Sequence, residues 1–229
     1  LEFLTKCDYP KEATVKNRSA LCLEWPNDNF DAIFTDPPYY DNVPYADLAD
    51  FFYVWLRKIL VNIHPDLFVT LYSPKNDEIG QLESWDKKRY SDKTKIYFEK
   101  ALSKSFFEIH RVLKPNGIAV IVYAHKSTDG WETLIKSLLH SGLVVTAAWP
   151  IHTEMKGRQR SIDSAALASS IYMVCRKLEK ESIGFYRDIK KELKNYLNKK
   201  LEQLWNEGIS GADFFISAIG SAIEVYGKY

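Results

Sequence analysis

The spacing of apolar and polar positions divides the chain into short apolar runs and longer stretches of helical period. Phe30-Asp31-Ala32-Ile33-Phe34-Thr35 reads as a buried strand, and Ile118-Ala119-Val120-Ile121-Val122-Tyr123-Ala124 as a strand covered on both faces. Leu143 to Trp149 and Ser169 to Cys175 read as two more strands joined by a long loop, one of them antiparallel to the rest. Ala13 to Lys16 could form a short strand ahead of them.

Helical spacing fills much of the remainder. Leu48, Phe51, Phe52, Trp55, Leu56, Ile59 and Leu60 predict a helix that docks an aromatic stripe on the core, capped by Asp41 or Asn42 with Pro44 in its first turn. Phe98, Leu102, Phe106, Ile109 and Val112 predict a second, ended by Lys114-Pro115-Asn116-Gly117 with Gly117 supplying the turn. Asp129-Gly130-Trp131-Glu132 fits a capping box for a third, with Trp131, Leu134, Ile135, Leu138 and Leu139 inward and Gly142 at its end. From Lys177 onward, Ile183, Tyr186, Ile189, Leu193, Leu197, Leu201, Leu204 and Trp205 mark one face of a long helix with a lysine-rich outer face, and a capping box at Ser210 opens an apolar final helix. The segment from Val61 to Tyr90 has weak periodicity and reads as a long excursion, suited to a lid or to target binding. Strands alternating with helices give an α/β fold, divided as 1–176 for the sheet domain and 177–229 for a C-terminal helical extension.

Composition adds limits. With 229 residues, 46% hydrophobic and 27% charged, the chain can bury one ordinary core. A net charge of +1 argues against wholesale electrostatic capture of nucleic acid, so such binding would need a local basic patch. The loop before Ser169 offers one in Lys156, Arg158 and Arg160, which could meet phosphates or simply face solvent. Cys7, Cys22 and Cys175 form no Cys-x-x-Cys pair, the five histidines show no metal-ligand spacing, and no metal is expected. Without a signal-like start or a long apolar span, a cytoplasmic location is expected.

The chemistry concentrates at the end of the first strand, in Asp36-Pro37-Pro38-Tyr39. Two prolines fix φ and donate no amide hydrogens, so a carboxylate, an acceptor carbonyl and an aromatic face are displayed on a stiff backbone. Such a set suits a planar group bearing an NH2, as a nucleobase does. A strand-end aspartate that merely caps the following turn is the alternative. Tyr40, Asn42 and Tyr45 lie close enough along the chain to share substrate binding, and His125 ends the next long strand on the same rim.

Asp36-Pro37-Pro38-Tyr39 after an apolar strand resembles the catalytic motif of S-adenosylmethionine-dependent amino-group methyltransferases. The longer run Thr35 to Leu48, with Asp50 to Leu56, resembles the adenine-specific DNA methylases that carry a zinc-ribbon insertion, over their carboxy-terminal part. The resemblance implies a Rossmann-like methyltransferase fold, S-adenosylmethionine as cofactor near Asp36, DNA as partner, and catalysis by Asp36, Pro37, Pro38 and Tyr39; His125, from its place on the shared rim, is a candidate to lie near the cofactor too. Restriction-modification is one setting for such an enzyme; RNA-base or protein-amide methylation, or a non-catalytic nucleic-acid-binding subunit, are the alternatives. The glycine-rich cofactor turn of that fold is not among this chain's glycines. The expectation is therefore a fragment, or half of a split enzyme, whose remaining strands come from an upstream half or a partner chain and pair beside Asp31 to Asp36.

Overall fold

The computed structural model describes residues 13–16, 18–39, 44–125, 128–152, 169–178 and 185–206, and six positions between 214 and 225. It divides into a smaller unit, Leu1–Ser19 with Tyr45–Asp77, and a larger one, Ala20–Pro44 with Glu78–Tyr229.

The larger unit holds a four-stranded sheet of β1 (Phe30–Thr35), β2 (Leu113–Tyr123), β3 (Leu143–His152) and β4 (Ser169–Lys177), in the order β1-β2-β4-β3. β1 runs parallel to β2, while β4 is antiparallel to both β2 and β3, so three strands share a direction and one opposes them. Helices α2 (Lys95–Val112) and α3 (Thr128–His140) alternate with these strands and complete an α/β architecture. α4 (Tyr186–Asn206) follows the sheet, with Ile189 and Leu204 buried along it.

One sheet face carries the core. Ala119, Ile121 and Tyr123 of β2, Ile171, Met173 and Cys175 of β4, and Leu143 and Val145 of β3 pack with Phe98, Leu102 and Phe106 of α2 and Leu134 and Leu138 of α3. The other face is apolar but less covered. Ile118 and Val120 are half-buried, Phe34 is 65% exposed, and its ring lies 5.9 Å from that of Tyr172. β1 is thus less buried than its composition predicts, because it pairs with β2 alone among the described residues.

The link from α2 to β2 also departs from expectation. Helix gives way directly to strand at Leu113, which is extended and caps α2 through its N–H to the Ile109 carbonyl. Lys114-Pro115-Asn116-Gly117 is not a turn between elements but an outward bulge inside the ladder, between the pairs Phe30/Leu113 and Ala32/Ile118. Gly117 is needed there for space: a Cβ would sit 2.7 Å from Leu113 Cδ1 and 3.0 Å from the Asp31 carbonyl oxygen. Lys114 closes the bulge with an ion pair to Asp31 at 2.6 Å.

Other boundaries follow local chemistry. Thr94 caps α2, its hydroxyl accepting from the Tyr97 N–H at 3.3 Å. α3 begins at Thr128, so Asp129 lies in the first turn, where its charge favours the helix dipole, and does not serve as the cap of a box. Leu139 points outward, 52% exposed, because it falls one position past the buried stripe. Gly142 ends α3 with φ 79°, a left-handed conformation that favours glycine. Ala13 to Lys16 form no strand. The final apolar stretch is described only in part.

The segment leading into β1 is fastened to the end of α2. Arg111 donates to the carbonyls of Trp25 and Leu23 at 2.8 and 2.9 Å and to Glu108 at 2.8 Å. Glu108 accepts in turn from the Leu23 N–H at 2.7 Å. These bonds fix where β1 starts, and so where it ends. The second half of the Val61 to Tyr90 excursion is likewise pinned: Lys93, 2% exposed, donates to the Glu78 carbonyl and the Tyr97 hydroxyl, both at 2.9 Å.

The smaller unit contains α1 (Tyr45–Leu60) and a turn at Pro65–Leu67. α1 starts after Pro44, and its apolar stripe is not buried: Phe51 is 69% and Ile59 70% exposed. The period is helical as expected, and within its unit no residue of α1 is buried. Tyr53 donates to the Thr70 carbonyl at 2.8 Å, and Asp50 accepts from the Ser73 N–H at 2.8 Å and pairs with Lys75. Those bonds tie the 68–75 segment back along α1.

Candidate active site

Parallel pairing brings two strand ends to one edge. Thr35 is level with Ile121, so Asp36 and the residues after it stand beside Val122 and Tyr123, at the carboxyl end where open α/β sheets carry ligands. α3 begins at Thr128, shortly after β2 ends at the same edge, and adds the first turn of a helix.

Asp36 is exposed, Pro37 is buried, and Pro38 and Tyr39 are half-buried. No hydrogen bond or ion pair engages the Asp36 side chain among the described residues. Among the described residues Asp36 therefore caps no turn. Its carboxylate stays available as an acceptor at the strand tip.

Tyr39 is anchored from below. Its ring packs against the core and meets Tyr123 edge to face, with centroids 5.4 Å apart and planes at 78°. Tyr123 is fully buried and meets Trp131 at 5.2 Å and 89°. His125 lies nearly parallel to Tyr123, at 6.2 Å and 18°. The Trp131 indole N–H donates to the His125 carbonyl at 2.9 Å, and the Tyr123 hydroxyl to the Gly130 carbonyl at 3.3 Å.

Sequence reasoning placed Asp36, Pro37, Pro38, Tyr39 and His125 on one rim, and the structure sets these strand ends together. It missed Tyr123, Gly130 and Trp131 as parts of the same group. The available signal was a tyrosine closing an apolar strand two residues before a histidine. Tyr45 is the first residue of α1, 45% exposed, in the smaller unit. Tyr40, Asn42, Lys156, Arg158 and Arg160 lie outside the described residues. Among the described residues no cluster of three His, Cys, Asp or Glu side chains could hold a metal, and no helix is long and apolar enough to cross a membrane.

No protein-family profile matches the chain, and no curated protein does. Among solved structures it is similar to two crystal structures of one Thermus thermophilus protein described as a candidate DNA modification methylase. For the selenomethionine derivative the TM-score is 0.34 at 12% identity, covering 76% of this chain and 58% of that one. For the complex with S-adenosyl-L-methionine it is 0.34 at 14% identity, covering 76% and 60%. This chain thus spans about three fifths of that protein's length. A TM-score of 0.34 lies below that of a common fold.

Proposed function

We propose that the chain is the base-handling part of an S-adenosylmethionine-dependent methyltransferase acting on the exocyclic amine of adenine in DNA. The carrying observation is the exposed Asp36 carboxylate at the tip of β1, which no described residue engages, beside a tyrosine ring held by the core. A carboxylate and an imidazole on neighbouring strand ends also fit a cationic ligand in chemistry, and Asp36 and His125 are the residues proposed to lie near the cofactor. When bound, S-adenosylmethionine supplies an electrophilic methyl group on its sulfonium.

The chain's own residues prepare the acceptor. Asp36 accepts one amine hydrogen and the Pro37 carbonyl the other, which draws the nitrogen away from the planar geometry that delocalises its lone pair. A hydrogen bond to a charged group of this kind contributes about 1.5 to 3 kcal/mol. In a duplex the base must leave the stack at a cost of a few kcal/mol, and stacking on Tyr39 returns about 1 to 3 kcal/mol. Tyr40, Asn42 and Tyr45 are proposed to line the base, and Lys156, Arg158 and Arg160 to meet phosphates. The side of β1 away from β2 supports a further proposal, that another strand of the complete enzyme pairs there.

The test is transfer of labelled methyl from S-adenosylmethionine to DNA by the full-length native protein and by residues 1–229, followed by identification of the modified base. N6-methyladenine in DNA is expected. Label in RNA or protein alone, or none with the native protein, overturns the reading.

A further inference from the structure

Gly130 stands in the first turn of α3, and its φ is not in the left-handed region, so backbone conformation does not call for glycine there. Helix propensity opposes it by about 1 kcal/mol relative to alanine. Its neighbour explains it. A Cβ at 130 would lie 2.4 Å from His125 Nδ1, 2.5 Å from Cγ and 2.9 Å from Cε1. The imidazole therefore occupies the place that any other residue at 130 would need. That ring is nearly parallel to Tyr123, which is fully buried and bears on Tyr39. The bonds from Trp131 to the His125 carbonyl and from Tyr123 to the Gly130 carbonyl hold the walls of this slot.

We infer that Gly130 is a positioning residue of the candidate site: it gives the His125 ring a slot against α3, and through the Tyr123 ring that slot sets how Tyr39 is presented to a planar acceptor. The inference rests on the proposed function for its substrate. A methyl group at 130 would force the imidazole to rotate away, because the two nearest atoms it meets, Nδ1 and Cγ, lie at the attached side of the ring and cannot give way by bending a flexible tip.

The test is a double-mutant cycle on the full-length native protein, with Gly130→Ala, His125→Ala and the pair. Gly130→Ala is expected to raise the KM for adenine-containing DNA about 10-fold, the size of one stacking contact, while kcat stays within about 3-fold. In the His125→Ala background the same change is expected to alter KM by less than about 2-fold, because the ring is gone. Imidazole NMR shifts of His125 should move in Gly130→Ala. An equal KM effect in both backgrounds, or an unchanged KM with a displaced ring, overturns the inference. If Gly130→Ala does not fold but the double variant does, the slot is supported; if neither folds, the glycine serves something other than His125 and the inference falls. A wild type that methylates no nucleic acid overturns the proposed function instead, and unmoved His125 shifts in Gly130→Ala then overturn the slot independently.

Discussion

The ring of Tyr39, at the end of one strand loop, meets the ring of Tyr123, the last residue of the neighbouring strand, edge to face at 5.4 Å. The segment that follows β1 is thereby registered on the hydrophobic core, and the two tyrosines separate stability from the proposed chemistry in ways that can be measured.

Among the described residues the Asp36 side chain has no partner to lose. Asp36→Ala is expected to leave the melting temperature unchanged, since surface changes without partners stay within about 0.5 kcal/mol. Methyl transfer should fall about 100-fold or more. Calorimetry beside a labelled-methyl assay checks both, and retained transfer would remove Asp36 from the reaction.

Tyr39→Ala should cost both. Loss of the aromatic pair predicts about 0.5 to 1.5 kcal/mol of stability beyond the buried area, and loss of the platform weaker binding of an extrahelical base. Tyr39→Phe keeps the ring and should retain the share of stability that the aromatic pair supplies. Urea denaturation of the two variants separates these outcomes.

Gly117→Ala is expected to destabilise the sheet by about 1 to 3 kcal/mol, because the Asp31 backbone approaches the added methyl and cannot move without disturbing β1. A drop in the urea midpoint with unchanged slope would show it.

Acid should loosen the anchor of β1. The Arg111 guanidinium beside Glu108 holds its carboxyl down at about 2, against 4.5 ordinarily. That contribution is complete above about pH 4.5 and is lost as pH falls toward 2. His110 is lowered from 6.5, first by burial and then by Lys177, so the unfolded state takes up its proton earlier and acid destabilises there too. Glu108→Gln should flatten melting temperature against pH below 4.5 and leave the His110 limb in place.

Cys175 is buried, which pushes its thiol up to about 12, whereas Cys22 is exposed. A thiol reagent should modify Cys22 in the native protein and Cys175 only on unfolding. Rapid native labelling of Cys175 would contradict its place in the core.

Much of this was legible because it is local. The run Phe30 to Thr35 ends at two prolines, and both signals act within a few residues, so β1 and its tip could be located from sequence. The period of α1 was readable for the same reason, but whether its stripe is covered depends on residues far away in the chain, and the structure leaves it exposed. Lys114 to Gly117 looks like a turn because proline and glycine punctuate it; only the pairing with β1 makes it a bulge. Nothing near Lys93 announces a buried ammonium, since its partners are a carbonyl and a hydroxyl that folding brings together. Gly130 was visible as a helix-start residue, but its dependence on His125 is a matter of space that spacing does not encode.

The placement of β4 has a consequence for how the sheet is made. It is the last of the four described strands in chain order, yet it sits between β2 and β3. Until residues 169–177 have been synthesised, β2 and β3 have no strand between them and their facing edges stay open. Assembly of this sheet therefore closes from the C-terminal side, through contacts between distant residues whose loop-closure cost is met before they stabilise anything, which favours slow, cooperative folding.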